Sequence, residues 1–168
     1  MKRSSIGILC AVGLVSLATP PALSGAKALV YNASASAPRG WYWVSHTSHI
    51  RAGDVVLAPL PTSIAALADA RHYLPSSVPI IKRVGAIGAG HVCIRGSWVL
   101  IDSIIVAQLL SRDGAGRPLL AWHGCRTLLR GELFLINTAN RASFDSRYFG
   151  PIPEASVLGV ARALWTWP

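Results

Sequence analysis

The chain has 168 residues, of which 52% are hydrophobic and 14% charged, and its formal net charge is +9. This length predicts one domain with a leader, and the apolar content excludes a disordered protein because a sizeable core can be buried. Beyond residue 28 there remain 13 basic and 7 acidic side chains, and the basic ones are scattered rather than clustered. A nucleic-acid binder more often shows a basic stripe with aromatic residues between, so we predict no nucleic-acid partner and a basic surface near an anionic membrane.

Residues 1–28 are typical of a targeting segment. Lys2 and Arg3 begin it, and an uncharged apolar stretch of 13 residues runs from Ile6 to Ala18. Ala26-Lys27-Ala28 has the small-x-small form of a cleavage site. The segment is therefore either a cleaved signal peptide or a short uncleaved membrane anchor, and both place the rest of the chain outside the cytoplasm.

Residues 29–168 predict a mostly-β domain of short antiparallel strands with one short helix. An alanine- and leucine-rich run favours the helix at Thr62–Tyr73, Gly85–Gly90 favours a turn, and Ser143–Gly150 favours a loop. Runs of β-branched and aromatic residues between glycines and prolines predict the strands, in chain order Trp41–Val44, Val55–Ala58, Pro79–Val84, Val92–Ile94, Trp98–Asp102, Gly131–Ile136 and Val157–Trp165. The last of these is either a strand or an edge segment.

Cys93 and Cys125 are the two cysteines beyond the leader. An even pair in an exported protein is most simply a disulfide. A zinc site is the weaker alternative, since His91 and His123 each precede a cysteine by two residues but no Cys-x-x-Cys is present.

One serine and one lysine carry the catalytic hypothesis. Ser36 follows Ser34 and precedes Pro38 and Gly40, which predict a turn that exposes it. Lys82 is the single lysine beyond residue 28, and it lies in an apolar strand where burial would lower its pKa. A neutral amine there could take the proton from the Ser36 hydroxyl, a role that an arginine cannot fill.

Motifs of other enzyme classes are missing from the sequence. It contains no Gly-x-Ser-x-Gly, no His-Glu-x-x-His and no Walker loop, so we predict no cofactor and no metal. Serine, histidine and aspartate are all present, but none lies in a recognisable triad setting.

Several blocks, taken in their order and spacing, are similar to one known family: Asn32–Tyr42, Arg51–Val56, Ile81–Val84, Trp122–Arg126, Gly131–Leu135 and Ser143–Pro151. Over about residues 28–168 the chain resembles the signal peptidase I family (peptidase family S26), and more closely its conjugative-transfer members of the TraF type. The resemblance implies a signal-peptidase-like β domain and a serine endopeptidase with a Ser-Lys dyad.

The resemblance also implies a role for each matching residue. Ser36 would be the nucleophile and Lys82 the general base. The main-chain N–H of Ser36 and the hydroxyl of Ser34 would stabilise the oxyanion. Ser146 would support the dyad by a hydrogen bond to the lysine amine. Asp145 could pair with Arg147 beside it.

The implied substrate is an exported precursor such as a conjugative pilin, cut after small residues and either hydrolysed or cyclised. The implied location is the periplasmic face of the bacterial inner membrane, or the periplasm if the leader is cleaved, with a conjugation or type IV secretion apparatus as context. Trp41, Trp43, Trp165 and Trp167 could face the membrane, although core packing is favoured for Trp43.

Three alternatives remain open at this point. One is a general signal peptidase with broad clients. Another is a non-catalytic structural component of a conjugation or secretion apparatus. The last is a metal-binding periplasmic protein that uses Cys93 and Cys125.

Overall fold

The structure is a computed structural model that describes residues 28–35, 37–46 and 49–167. Within these ranges it contains eleven strands, two α-helices and a 3-10 turn at Glu154–Ser156. The strands are β1 (Ala28–Asn32), β2 (Arg39–Ser45), β3 (Val55–Ala58), β4 (Ile80–Ile87), β5 (His91–Arg95), β6 (Trp98–Ile101), β7 (Ile104–Gln108), β8 (Cys125–Thr127), β9 (Glu132–Leu135), β10 (Ile152–Pro153) and β11 (Gly159–Trp167). The helices are α1 (Thr62–Ala70) and α2 (Ser146–Phe149).

The strands form two antiparallel sheets. The larger has seven strands in the order β1-β2-β11-β3-β4-β9-β10, and the smaller has four in the order β7-β6-β5-β8. The C-terminal strand β11 therefore lies inside the large sheet between β2 and β3. Strand β1, which begins at the last residue of the predicted leader, forms one edge of that sheet.

The prediction of a mostly-β domain with short antiparallel strands is confirmed. One detail is corrected: the described residues hold two helices rather than one, because the predicted loop at Ser143–Gly150 contains α2. Asp145 caps this helix by accepting a hydrogen bond from the Arg147 main-chain N–H. A four-residue helix is too short to show helical periodicity, so only the cap could have indicated it.

Strand β4 is longer than predicted because it continues through Gly85 to Ile87, and the turn follows at residues 88–90. A β-bulge interrupts its pairing with β9 between Val84 and Ala86. A Cβ on Gly85 would lie 2.5 Å from the Ile136 side chain. The glycine at this position therefore serves close packing within a strand and does not end it.

The core lies on both faces of the large sheet and extends under the small one. On β2, buried Gly40, Tyr42 and Val44 alternate with exposed Trp41 and Trp43, as expected for a strand with one covered face. Three groups of buried apolar residues follow: one around Val56, Val84 and Leu135, one around Val92, Val99 and Phe134, and one around Tyr42, Leu57 and Ile81. Strand β4 contributes to all three, which places Lys82 among core residues.

Candidate active site

Lys82 is a buried amine in the middle of the large sheet. It lies opposite Val56 of β3, and its side chain is 2% exposed. Burial lowers the pKa of Lys82 from 10.5 to about 8, because an ammonium group loses its hydration inside the protein. The nearby Asp145 raises this pKa and Arg147 lowers it, both to a smaller extent. A substantial fraction of the amine is therefore neutral near pH 8.

The hydroxyl that contacts this amine belongs to Ser143. Lys82 Nζ donates to Ser143 Oγ at 2.5 Å, and Ser143 is itself buried. The expected partner, Ser146, instead accepts a hydrogen bond from the Leu135 main-chain N–H at 2.9 Å. Ser146 is the first residue of α2, and this contact with β9 turns its hydroxyl toward the sheet. The hydrogen bond to the Lys82 amine that was expected from Ser146 is therefore made by Ser143.

Asp145 and Arg147 form a fully buried ion pair. Arg147 Nε lies 2.7 Å from Asp145 Oδ1, and both side chains are 0% exposed. Arg147 also donates to the main-chain carbonyls of Gln108, Arg141 and Asn137, while Asp145 accepts from the Asn137 N–H. The pairing expected from the sequence is present, and its many partners show that it fixes residues 137–145.

The expected nucleophile, Ser36, lies outside the described residues, but its neighbours on both sides are described. Asn32, which is 6% exposed, holds this loop from the end of β1. Its Nδ2 contacts the carbonyls of Ser34, Ala37 and Pro38 at 3.0 to 3.1 Å. Its Oδ1 accepts from both the N–H and the hydroxyl of Ser34, at 3.2 and 2.9 Å. Asn32 thus bonds to the chain on both sides of position 36.

Two further asparagines hold the same loop from the opposite side. Asn137 and Asn140 each donate from Nδ2 to the carbonyl oxygen of Ala35 at 3.2 Å. Both residues lie in the segment that carries Ser143. One segment therefore contacts the Lys82 amine at one point and the loop around position 36 at another.

Sequence reasoning missed Ser143 and all three asparagines. Ser143 could have been found because it opens the same block as Asp145 and Ser146. The sequence does not show, however, in which direction each side chain of a non-helical turn points. Asn137 and Asn140 directly precede that block. Asn32 gives no sequence signal beyond its place before the serine turn.

A cleft of about 430 Å³ brings these groups together. Its lining includes Lys82, Ser143, Ser34 and Ala35, and much of the remaining wall is apolar, including Val30 and Ile80. The cleft places the buried amine beside the loop that bears position 36.

Cys93 and Cys125 form a disulfide that joins β5 to β8 in the small sheet, 32 residues apart in the chain. The Cys125 sulfur lies 4.0 Å from His91 Nε2. Among the described residues no group of His, Cys, Asp and Glu has an arrangement that could hold a metal ion. The disulfide lies outside the lining of the cleft.

The four tryptophans named above share one exposed face with Tyr31. Trp41 and Trp165 are opposite each other on β2 and β11, and the Tyr31 ring is 5.1 Å from that of Trp41 and 6.1 Å from that of Trp167. Trp43 is 40% exposed, so the core packing favoured for it is wrong. Residues 1–27 of the predicted leader (residues 1–28) lie outside the described ranges, and no helix within those ranges has the length and apolarity needed to cross a bilayer.

Comparison with known proteins gives a consistent result. The family described as "Signal peptidase, peptidase S26" matches residues 2–167. The conjugal transfer protein TraF of Agrobacterium tumefaciens (strain 15955) is 32% identical over 176 aligned positions, covering 99% of this chain and 97% of that protein. A plasmid transfer protein TraF of Escherichia coli is 29% identical, covering 86% of this chain and 85% of the relative.

Among solved structures, a signal peptidase I from Enterococcus faecalis V583 aligns with 69% of this chain and 98% of its own. The TM-score is 0.40 and the sequence identity is 20%.

Proposed function

Because the chain belongs to the signal peptidase family, peptidase S26, we propose that it is a TraF-type serine endopeptidase with a Ser36-Lys82 dyad. The observation that carries this proposal is the buried Lys82 amine. It has a pKa lowered to about 8, and it shares a cleft with the loop that bears position 36. In a Ser-Lys dyad the neutral lysine amine is the base that deprotonates the serine, and a lowered pKa makes this form available near neutral pH.

The reaction begins when Ser36 Oγ attacks the scissile carbonyl and its proton passes to the neutral Lys82 amine. The oxyanion of the tetrahedral intermediate accepts hydrogen bonds from the Ser36 main-chain N–H and from Ser34 Oγ. Lys82, now an ammonium, gives its proton to the leaving amine, and an acyl-enzyme remains on Ser36. Lys82 then activates a water, or the substrate's own amine, which releases a linear or a cyclic product.

The contacts of Ser34 add a condition to this scheme. Its hydroxyl donates to Asn32 Oδ1 at 2.9 Å, so it has to exchange that bond for one to the oxyanion. A hydroxyl rotates with little cost, and Asn32 Oδ1 keeps the Ser34 N–H as a partner during the exchange. Ser34 would then act on the transition state rather than on the bound substrate.

The proposed substrate is an exported precursor, with a conjugative pilin as the leading candidate. The relatives' names, conjugal and plasmid transfer proteins, support this context. A periplasmic location at the inner membrane is supported by the basic and apolar leader at residues 1–28, with residues 29–168 as the peptidase domain. The exposed aromatic face on β2 and β11 suits a membrane interface.

A cleavage assay tests the proposal. Purified protein is mixed with a pilin-like precursor and with precursors of ordinary secreted proteins, and product is followed by mass spectrometry. Ser36→Ala, Lys82→Ala and Lys82→Arg should each lose at least about a thousandfold in kcat/KM. Arg95→Gln, an exposed change on β5, is the control and should keep full activity.

Three outcomes separate the candidates. Cleavage of the pilin-like precursor alone supports the TraF-type role, and equal cleavage of all precursors favours a general signal peptidase. Full activity of Ser36→Ala would refute the catalytic assignment and favour a structural component.

A further inference from the structure

A second groove lies on the other side of the loop around position 36. It has a volume of about 890 Å³, and Ala35, which lines the Lys82 cleft, lines this groove as well. Ala37 continues its wall beyond position 36. A peptide that reacts at Ser36 therefore has the Lys82 cleft on one side of the loop and this groove on the other.

Three arginines from separate parts of the chain border the groove: Arg39 on β2, Arg83 on β4 and Arg141 on the segment before α2. All three side chains are exposed. Among the described residues that line the groove none is acidic, and the other polar members are amides and a threonine hydroxyl. The local charge is therefore strongly positive.

Two of these guanidinium groups are partly fixed by the fold. Arg83 Nη1 donates to the Gly53 carbonyl at 2.6 Å, and Arg141 Nη2 donates to Gln108 Oε1. A guanidinium has five N–H donors, so each keeps further donors for an incoming acceptor. A planar guanidinium whose orientation is restrained by one hydrogen bond is well suited to a carboxylate, which it can bind by two parallel hydrogen bonds.

We propose that this basic groove binds a carboxylate on the part of the substrate that leaves when the acyl-enzyme forms. This inference rests on the proposed function. The apolar Lys82 cleft suits small residues before the cut, so the segment after the cut passes over the loop into the groove. The carboxylate is either an aspartate or glutamate side chain or the terminal carboxylate of a short leaving segment.

The test uses matched synthetic peptides with one common segment before the cut. Their leaving segments carry either glutamate or glutamine, and each is made with a free and with an amidated C-terminus. The measurement is kcat/KM at low and high salt for the wild-type protein, for Arg83→Gln with Arg141→Gln, and for the control Arg95→Gln. Binding of each leaving segment alone is measured by fluorescence anisotropy.

In the wild type and in Arg95→Gln we expect kcat/KM for the glutamate peptide to exceed that for the glutamine peptide by about three- to tenfold at low salt, as two or three exposed ion pairs would give. High salt should reduce the difference, and the double variant, which keeps only Arg39 of the three arginines, should reduce it as well. A larger effect of amidation than of the glutamate change would assign the site to the terminal carboxylate.

Cleavage with equal rates for all four peptides at low salt would overturn the inference, and so would discrimination that is undiminished in the double variant. The anisotropy measurement separates this from the proposed function. Charge-dependent binding to the arginines without any cleavage would leave the groove as a carboxylate site and refute the peptidase assignment.

Discussion

Among the residues that the structure describes, two cations are buried, and their surroundings are opposite. Arg147 is 0% exposed and is paired with Asp145, and it donates to three main-chain carbonyls as well. Lys82 is 2% exposed, and its one hydrogen-bond partner among the described residues is the neutral hydroxyl of Ser143. Asp145, whose charge also acts on the Lys82 amine, is ion-paired with Arg147, the cation that cannot lose its proton.

The difference shows how the fold lowers the pKa of one buried cation and keeps the other one charged. An arginine remains charged when buried, so it needs a full set of partners, and Arg147 has them. A lysine with no carboxylate partner responds to burial by a lower pKa. Asp145 raises the pKa of Lys82 and Arg147 lowers it, so the two charges of the ion pair oppose each other at the amine and desolvation decides the result.

Of the substitutions at the two buried cations, replacement of Arg147 should change the free energy of unfolding most. Arg147→Met leaves the buried Asp145 carboxylate without its partner, so the free energy of unfolding should fall by about 3–5 kcal/mol. Urea unfolding at neutral pH measures it, and Arg95→Met, on the exposed surface, is the control. A loss below about 1 kcal/mol would mean that the pair does not hold residues 137–145 in place.

Replacement of Lys82 should have the opposite effect on the free energy of unfolding. Lys82→Met replaces an unpaired buried amine by an apolar chain of similar volume, so the free energy of unfolding at pH 7 should rise by about 1–4 kcal/mol while cleavage is lost. The folded pKa is lowered to about 8 from 10.5. The unfolded state therefore binds more protons between these values, and wild-type stability should rise with pH across that window. In Lys82→Met this rise should be absent.

If the Lys82→Met protein were less stable than the wild type at pH 7, the contrast between the two buried cations would be wrong. The amine would then contribute to stability as Arg147 does. The same urea series, run from pH 7 to pH 10.5, gives both results from one set of samples.

Smaller effects are expected from substitution of Ser143, which precedes α2, and of Ser146, the first residue of α2. Ser143→Ala removes the hydrogen-bond partner of the Lys82 amine, so kcat should fall about tenfold with little change in KM. Ser146→Ala leaves the buried Leu135 N–H without an acceptor, so it should cost about 1–3 kcal/mol of stability and spare kcat. The reverse pattern would restore the assignment of Ser146 as the supporting residue.

Much of the fold could be predicted because its strands are bounded by glycine and proline and are rich in β-branched residues. The first and last strands were harder. Strand β1 begins at the end of the predicted leader, so its apolar residues look like part of that leader. Strand β11 lies inside the sheet, and its partner strands β2 and β3 are far from it in the chain. Local patterns carry no information on such long-range neighbours.

At the site, Lys82 could be predicted because it is chemically unique in the domain, and the Asp145–Arg147 pair because its members are close in sequence. The contacts of Asn32, Asn137 and Asn140 could not, since they bind main-chain carbonyls that any residue could supply. The choice between Ser143 and Ser146 depends on a single turn of helix, which sets the direction of each hydroxyl.

The most direct test of the account is the titration of the Lys82 amine itself. Lys82 is the one lysine within residues 29–168, so a protein of that range labelled with carbon-13 at the lysine ε-carbon gives one domain resonance. We expect it to titrate at about pH 8, with kcat/KM rising as pH increases through the same value because the neutral amine is the active form. A titration at pH 10.5 or above, as for an unburied lysine, would contradict the account.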